Sequence, residues 1–532
     1  MATSSSREAL TEQPGPGGHP RRWAILGVLV LSLLVVVLDN TVLNVALTTI
    51  ADPNKGLGAS QSQLEWAINS YTLVFAGLLF TFGVIGDRIG RKRMLIIGMV
   101  LFGLSSLISS YATSPDQLIW ARAAMGLGGA AIMPQTLSII SNVFEPHERG
   151  KAIGMWAGAV GLAVAIGPVT GGVLLDHFWW GSVFLINVPI VLVSLIFIGV
   201  MVPESRNPER AGIDWFGVAL SIVGLVLLTY GIIQGGDKND WLAATVIGPV
   251  VGGLAVLALF VWHETRVAHP ALDVKLFRDP RLSASVSAIA LGFFGMAGVF
   301  FFISLYLQSV RDYSPLQAGL LTLPFAAAQL IFSPRSAAMV TRFGAKAVAT
   351  GGLIVVFFAI LSYQFVGVDS PIWIVEVAFF LQGAGMANVM PPATNSVMSV
   401  LPRERAGAGS SLTNVARQVS VALAVAILGS VVASVYRDSL KPYLGAVPQQ
   451  LRGKAAESIG ATRGVAEKFG LPPEVTQHAK ESFVHAVHVA SWVSAVMALL
   501  SVLVVVKWMP GKPKEGAAVE ATPVAQAEAV EV

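Results

Sequence analysis

Asp39 stands in LLVVVLDNTVLNVALTTI (33–50), a mostly apolar run with no other charge. A carboxyl at the centre of a bilayer costs about 2.5–3.5 kcal/mol on insertion scales, so a chain that keeps one there is expected to use it. The chemistry open to a lone acid at that depth is the uptake and release of a proton. Arg122, in LIWARAAMGLGGA (118–130), is a second charge inside an apolar stretch. It either faces a cavity near the acid or snorkels to the outer interface. Asp39 reads as the only carboxylate deep in the N-terminal half. Glu376 is a further candidate for the cavity, with an interfacial position equally open. Asn44, Asn69, Asn388, Asn414 and Gln418 could line that cavity or serve as hydrogen-bonding glue between helices.

Other chemistries lack their residues. The 532-residue chain has no cysteine, so no thiolate nucleophile, disulfide or Cys-ligated metal is possible. No G-x-x-x-x-G-K-[ST] phosphate loop occurs, which disfavours an ATP-driven pump. His147–Glu148 and His263–Glu264 are not followed by the second histidine of H-E-x-x-H, and no G-x-S-x-G elbow is present. We expect no enzyme, no cofactor and no metal, with the proton gradient as the energy source.

The elements that must position these groups are membrane helices. The chain is 54% hydrophobic and 12% charged, with a mean hydropathy of +0.69; a soluble domain carries about 25% charged residues. A span needs about 20 mostly apolar residues, and its backbone must satisfy its own hydrogen bonds, so it is helical. Fourteen stretches qualify, near 23–50, 65–85, 94–113, 117–140, 152–174, 182–202, 216–234, 242–262, 283–308, 318–340, 347–367, 372–392, 407–435 and 483–506. With the N-terminus inside, the cytoplasmic segments hold 23 Lys and Arg and the first six outer loops hold three, as the positive-inside rule requires. The last outer loop, 437–482, breaks the pattern with seven. Both termini are expected to be cytoplasmic.

An internal repeat organises the spans. MGLGGAAIMPQT (125–136) and QGAGMANVMPPAT (382–394) match at Gly126/Gly383, Gly128/Gly385, Met133/Met390 and Pro134/Pro391. Each is followed by a Glu-Arg pair, Glu148–Arg149 and Glu404–Arg405. DRIGRK (87–92) pairs with TRFGAK (341–346). Both offsets are eight spans. The expected architecture is therefore an all-α integral membrane protein of two pseudo-symmetric six-helix bundles, 23–205 and 271–508, with helices 7 and 8 (206–270) inserted between them. Residues 1–22 are expected to be a disordered cytoplasmic tail, with the first span retained rather than cleaved, and 509–532 a second tail. Two such halves place a substrate site near the midplane at their interface.

The loop GVIGDRIGRKRM (83–94) packs Asp87 against Arg88, Arg91, Lys92 and Arg93 between Gly83 and Gly90. A plain positive anchor accounts for the basic residues; a gating charge network across the halves also accounts for Asp87 and the glycines. In GMWAGAVGLAVAIGPVTGG (154–172), Gly167–Pro168 followed by Gly171–Gly172 gives a bend and a smooth packing face.

These motifs together resemble the major facilitator superfamily, and within it the 14-span drug:proton antiporter branch, over essentially the whole chain. LDNTVLNVAL is similar to that branch's first-span motif. Gly83, Asp87, Arg88, Gly90 and Arg91 are similar to the superfamily's gating-loop motif. Arg122 and Gly126 correspond to its fourth-span motif, and Gly154, Gly167, Pro168, Gly171 and Gly172 to the antiporter motif. WAINSY (66–71), WGSVFLINVP (180–189) and SPLQAGLLTLP (314–324) also resemble the branch. Ala163 stands at a usual glycine, Thr48 at a usual proline, and RQVSVALAVA (417–426) lacks glycines that relatives often carry.

The resemblance implies proton-driven multidrug efflux by alternating access, with Asp39 and Arg122 in proton coupling. The expected partners are a lipophilic small molecule, neutral or monovalent, together with protons and membrane lipid. No nucleic acid is expected, and the protein is expected to work as a monomer. The expected location is the bacterial inner membrane. Export of a specific secondary metabolite or lipid is the alternative, with a proton-coupled importer of the same fold behind it.

Overall fold

The structure is a computed structural model that describes residues 19–206, 214–238, 240–267, 270, 272, 274–400 and 406–509. The tail residues 1–18 and 510–532 and the pair Glu404–Arg405 lie outside the described residues. Among the described residues every regular element is helical. The long segments are α1 (Arg22–Ala51), α2 (Gln61–Ile89), α3 (Arg91–Ser110), α4 (Pro115–Val143), α5 (Pro146–His177), α6 (Ser182–Met201), α7 (Trp215–Lys238) and α8 (Ala244–Glu264). They continue with α9 (Pro280–Leu305, closed by a π-turn at Tyr306–Val310), α10 (Leu323–Phe343, after a short turn Pro315–Leu320) and α11 (Ala345–Leu361). The last are α12 (Trp373–Ala387, resumed at Met390–Val400), α13 (Ala406–Leu440) and α14 (Pro473–Trp508). Twelve helices among the described residues are long and apolar enough to cross a membrane, or thirteen if bent α2 counts as one span.

Local chemistry sets the ends. Ser60 and Ser314 each accept from the backbone N–H three residues on, and Gln63 and Gln317 reach back to complete capping boxes. Ser114 caps α4, whose first helical position is proline. Gly90 (φ +116°) and Gly344 (φ +86°) are single-residue joints between α2 and α3 and between α10 and α11. Both conformations exclude a β-carbon. They are the matched glycines of DRIGRK and TRFGAK.

The other repeat also has a geometric meaning. A β-carbon on Gly126 would sit 2.6 Å from the Tyr71 carbonyl of α2, and one on Gly128 would sit 2.6 Å from the Phe102 N of α3. In the second copy, a β-carbon on Gly383 would sit 2.3 Å from the Phe325 carbonyl of α10, and one on Gly385 would sit 2.6 Å from the Gly352 carbonyl of α11. G-x-G therefore lets α4 lie on α2 and α3, and α12 on α10 and α11. The wider packing follows the same eight-helix offset: α1 packs on α5 and α6 and α3 on α6, while α9 packs on α13 and α14 and α11 on α14.

Contacts across the two sets run through α2 with α13, α5 with α10 and α1 with α9. Helix α7 lies against α2 and α13, and α8 packs on α7 with 17% of its most apolar window buried. Large apolar side chains left on the outer faces, such as Trp120 (77% exposed) and Leu242 (83%), suit a lipid solvent.

Candidate functional site

A cavity of about 240 Å³ lies among eight helices, four from each set. Its walls come from α1, α2, α4 and α5 on one side and from α9, α10, α12 and α13 on the other. Phe75, Phe293, Phe300, Phe325 and Phe379 make it mostly apolar, and Asn40, Asn44, Gln418 and Ser304 add polar points. This is the composition of a small-molecule site: apolar walls with a few placed polar groups.

Asp39 and Arg122 come together. Arg122 Nη1 donates to Asp39 Oδ2, and the two side chains are each 1% exposed. Arg122 Nε donates to the Ala67 carbonyl at 3.1 Å, and its guanidinium lies 4.4 Å from the Tyr71 ring centroid. Asp39 also accepts from Asn187 Nδ2 of α6 at 3.3 Å, which in turn donates to Ser106 Oγ at 3.0 Å. Ser106 Oγ donates to the Phe184 carbonyl at 2.8 Å. The order matters. Arg122 lines the cavity, and Asp39 sits behind it against α4 and α6. The wall at this level is therefore a guanidinium whose charge is matched from the rear.

Asn44 and Gln418 line the cavity, as do Pro168 and Thr41. Asn69 is fully buried on α2 outside that lining. Asn388 caps the first part of α12 and donates to the Ala384 carbonyl at 2.8 Å, beside Gly352 of α11. Glu376 is on the first turn of α12, half-buried and away from the cavity. Asn414 accepts from Arg417 Nη2 at 3.1 Å, so it holds a lining residue without lining the cavity itself.

The gating-loop residues sit with their own helices. Asp87 accepts from Arg91 Nε at 2.7 Å, and Arg91 Nη1 reaches the Ser138 carbonyl of α4 at 3.4 Å. Gly83 faces Pro134, Gly86 faces Gln135, and Gly90 faces the Glu204 carboxylate beyond α6. Glu204 also accepts from the Lys92 N–H at 3.1 Å. Arg88 is in the last turn of α2.

In α5, Gly167 and Gly171 let α1 approach: β-carbons there would lie 1.8 Å from Thr41 Oγ1 and 2.9 Å from Val42 Cγ1. Gly172 does the same for the turn before α10, with Leu316 Cα at 2.4 Å, and Gly319 faces the Pro168 carbonyl at 2.3 Å. Gly154 lies in the first half of α5.

Those α5–α10 contacts belong to a closed end of the cavity. There Ser304 Oγ donates to the Asn44 carbonyl at 2.8 Å, and Gln308 Nε2 donates to the Val45 carbonyl at 3.0 Å. Thr48 hydrogen-bonds Gln308, and Ser314 Oγ donates to Asp176 Oδ2 at 3.0 Å. Glu65 of α2 presses on Gly429 of α13, where a β-carbon would lie 2.1 Å from Oε1. Glu65 is 2% exposed. It corrects the expectation that Asp39 is the only deep carboxylate of this half. Placed before WAINSY near the predicted start of a span, Glu65 reads in sequence as an interfacial residue.

Loop 437–482 folds onto that same end. Arg463, in a short helix Ile459–Phe469, pairs with Asp312 at 2.7 Å and donates to the Ser309 carbonyl at 2.8 Å. Lys480 of α14 pairs with Asp312 at 2.5 Å. Partial burial pushes the Asp312 carboxyl up, but the Lys480 hydrogen bond and the Arg463 and Lys480 charges outweigh it and hold the group below its ordinary value. A lowered carboxyl stabilises the latch at all pH above the ordinary carboxylate range. That contribution is lost only as pH falls through the lowered value. Asp312→Asn is therefore expected to speed cleavage of segment 452–468 by trypsin about two- to fivefold, as suits exposed ion pairs. Wild-type cleavage should hold unchanged from pH 7.5 to 5.5 once the protease's own pH dependence is corrected. Equal cleavage of variant and wild type would contradict the latch.

Sequence reading missed Asn187, Ser106, Arg417 and the aromatic wall. Asn187 lies within WGSVFLINVP and Arg417 within RQVSVALAVA, so a polar group in an apolar span was the available signal. The side each faces was not.

Two bundles of membrane helices enclosing a shared apolar cavity, with a buried acid–base pair at its wall, define a membrane transporter of the alternating-access kind. The chain belongs to the major facilitator superfamily, whose family model, described as Major Facilitator Superfamily, matches residues 29–425. It is 33% identical over 488 residues to the multidrug efflux pump LfrA of Mycolicibacterium smegmatis, covering 91% of this chain and 96% of that one. It is 31% identical over 495 residues to the methyl viologen resistance protein SmvA of Salmonella typhimurium (92% and 98%). It is 29% identical over 531 residues to the tetracenomycin C resistance and export protein of Streptomyces glaucescens (97% of each). The fold is similar to the crystal structure of a bacterial homolog of the human lysosomal transporter Spinster, inward-facing and unoccupied. That match has a TM-score of 0.65 at 16% identity and covers 93% of this chain and 100% of that one.

Proposed function

We propose that the protein is a proton-coupled antiporter that exports lipophilic small molecules through the bacterial inner membrane. The observation that carries this reading is the Asp39–Arg122 pair, buried directly behind the wall of a cavity shared by both helix sets. The efflux and resistance relatives support the direction of transport. In this reading α1–α6 (23–205) and α9–α14 (271–508) are the moving halves, and α7–α8 (206–270) are an insertion. Bent α2 and the 32-residue α5 complete fourteen spans with both termini cytoplasmic. The closed end is the outer one, which makes this an inward-facing state. A single chain works alone, without a cofactor.

Coupling follows from the stacking order. Ionised Asp39 holds Arg122 in the wall and matches its charge. A proton delivered to Asp39 from the outside breaks that pairing, and Arg122 turns its charge and donors toward the cavity as substrate leaves. Reopening to the cytoplasm lets Asp39 release the proton, and Arg122 returns to it. Asp87 and Arg91 hold the inner ends of α2 and α3 on α4, so that this half moves as one body. Gly167 and Gly171 pack α5 on α1 within that half, and Gly172 supplies the surface on which it rocks against the turn before α10.

A narrow exporter of one specific secondary metabolite is the second reading, favoured by the full-length similarity to the tetracenomycin C resistance and export protein. A pump-deficient host expressing the chain separates the two. Multidrug export predicts raised tolerance to several unrelated dyes and antibiotics, abolished by an uncoupler. Tolerance to one compound alone favours the narrow exporter, and tolerance unaffected by the uncoupler overturns proton coupling.

A further inference from the structure

The residues that line the cavity include two ionisable ones, and both are arginines. Arg122 has Asp39 behind it. Arg417, near the middle of α13, is different. Its Nη2 donates to Asn414 Oδ1 at 3.1 Å, its guanidinium lies 5.7 Å from the Phe293 ring centroid, and its Nε is buried without a hydrogen-bond partner. Among the described residues, no carboxylate lies within ion-pairing distance of it, and none lines the cavity. A guanidinium offers five donors in a planar fork that matches a carboxylate or a similar oxyanion, and a buried donor left unpaired is costly. An unmatched positive charge facing a low-dielectric cavity repels a cation and attracts an anion. Phe293, Phe300, Phe325 and Phe379 line the same cavity and present ring faces and edges to anything flat.

We propose that Arg417 is the recognition point for an acidic oxygen on the substrate. The cavity takes flat aromatic molecules bearing a carboxylate, phenolate or comparable group, and it discriminates against permanent cations. This inference rests on the reading of the cavity as the substrate site and narrows it to a substrate class. The resulting picture is simple. The aromatic walls hold the ring system, and Arg417 holds the oxyanion from the C-terminal half.

Two xanthene dyes of similar size and opposite charge provide the test: fluorescein, which carries a carboxylate and a phenolate, and rhodamine 6G, a permanent cation. Their binding to the purified full-length chain is read by fluorescence polarisation. Wild type is expected to bind fluorescein at least tenfold more tightly than rhodamine 6G. Arg417→Gln, which keeps an amide donor, should lose that preference by at least tenfold, and Arg417→Lys should keep most of it. Unchanged melting of both variants shows that the fold survives. Ala297→Trp, which fills the cavity, should abolish fluorescein binding in either background. A preference for rhodamine 6G, or one that Arg417→Gln leaves unmoved, overturns the assignment of Arg417 and leaves the exporter reading standing. Failure of fluorescein to bind wild type also overturns it. Binding that ignores Ala297→Trp removes the cavity itself as the site, and the inference falls with it.

Discussion

Asp39→Asn is expected to uncouple export from the proton gradient while leaving the cavity in place. One elementary charge crossing 100 mV supplies about 2.3 kcal/mol, which sustains a concentration ratio of about 50. In everted vesicles the variant should therefore lose about 50-fold of the gradient-driven accumulation, and substrate addition should no longer release protons. The same substitution has a structural cost, because it strands Arg122, which is 1% exposed, without its counter-charge. Removing one partner of a buried pair typically costs about 3–5 kcal/mol. Asp39→Asn should melt at a lower temperature than wild type. Asp39→Asn combined with Arg122→Gln should recover much of the melting temperature and none of the coupling. That divergence separates a proton-handling role from a merely structural one. Proton release by Asp39→Asn at the wild-type rate would take the acid out of the transport cycle.

The second large effect concerns the α5–α10 contact. A β-carbon on Gly172 would stand 2.4 Å from Leu316 Cα, an atom of the opposite helix set that no side-chain rotation can move. Gly172→Ala therefore penalises the closed end and not the open one. Overpacking of this kind costs about 1–3 kcal/mol, a shift of about 5- to 150-fold in the balance of the two states. Because the chain has no cysteine, a single Asn44→Cys reporter on the cavity wall can be labelled with a membrane-impermeant maleimide from outside intact cells. Labelling should rise by about that factor in Gly172→Ala, and export should fall. Gly171 makes its close contact with Val42 of α1 in its own set, so Gly171→Ala is the control and should leave labelling at the wild-type level. Equal labelling of the two variants would remove α5–α10 packing from the gate.

Both effects were partly legible in the residues. An acid in an apolar run, an arginine in another and a Gly-Pro-x-x-Gly-Gly stretch mark α1, α4 and α5 as places where the chain departs from plain lipid-facing composition. The paired glycines at 126 and 383, 128 and 385, and 90 and 344 carried more. A position where no β-carbon fits constrains the residue type strongly, so the same close approach in two places leaves the same letters in both.

Facing was not legible. Most of these helices are apolar all round, so they carry no polar stripe from which a cavity side could be read. An asparagine in such a helix can meet solvent, substrate or a neighbouring carbonyl with no difference in the sequence around it. Asn44 and Gln418 turned to the cavity, Asn388 to its own helix and Asn69 into packing. Arg417 and Asn187 were in plain view as polar letters, but their neighbours across the bundle are on other helices, far away in sequence.

By itself, the sequence determined the class of molecule: apolar runs long enough to span a bilayer, helical because lipid leaves the backbone no other partner, repeated at an eight-helix offset, with a few acids and bases set among them. Only the tertiary structure decided that Arg122 stands in front of Asp39 rather than beside it, that Arg417 faces the same space uncompensated, and which end is shut. The physical reason is that composition and length are properties of one helix, whereas orientation is set by how several helices share a small number of close contacts.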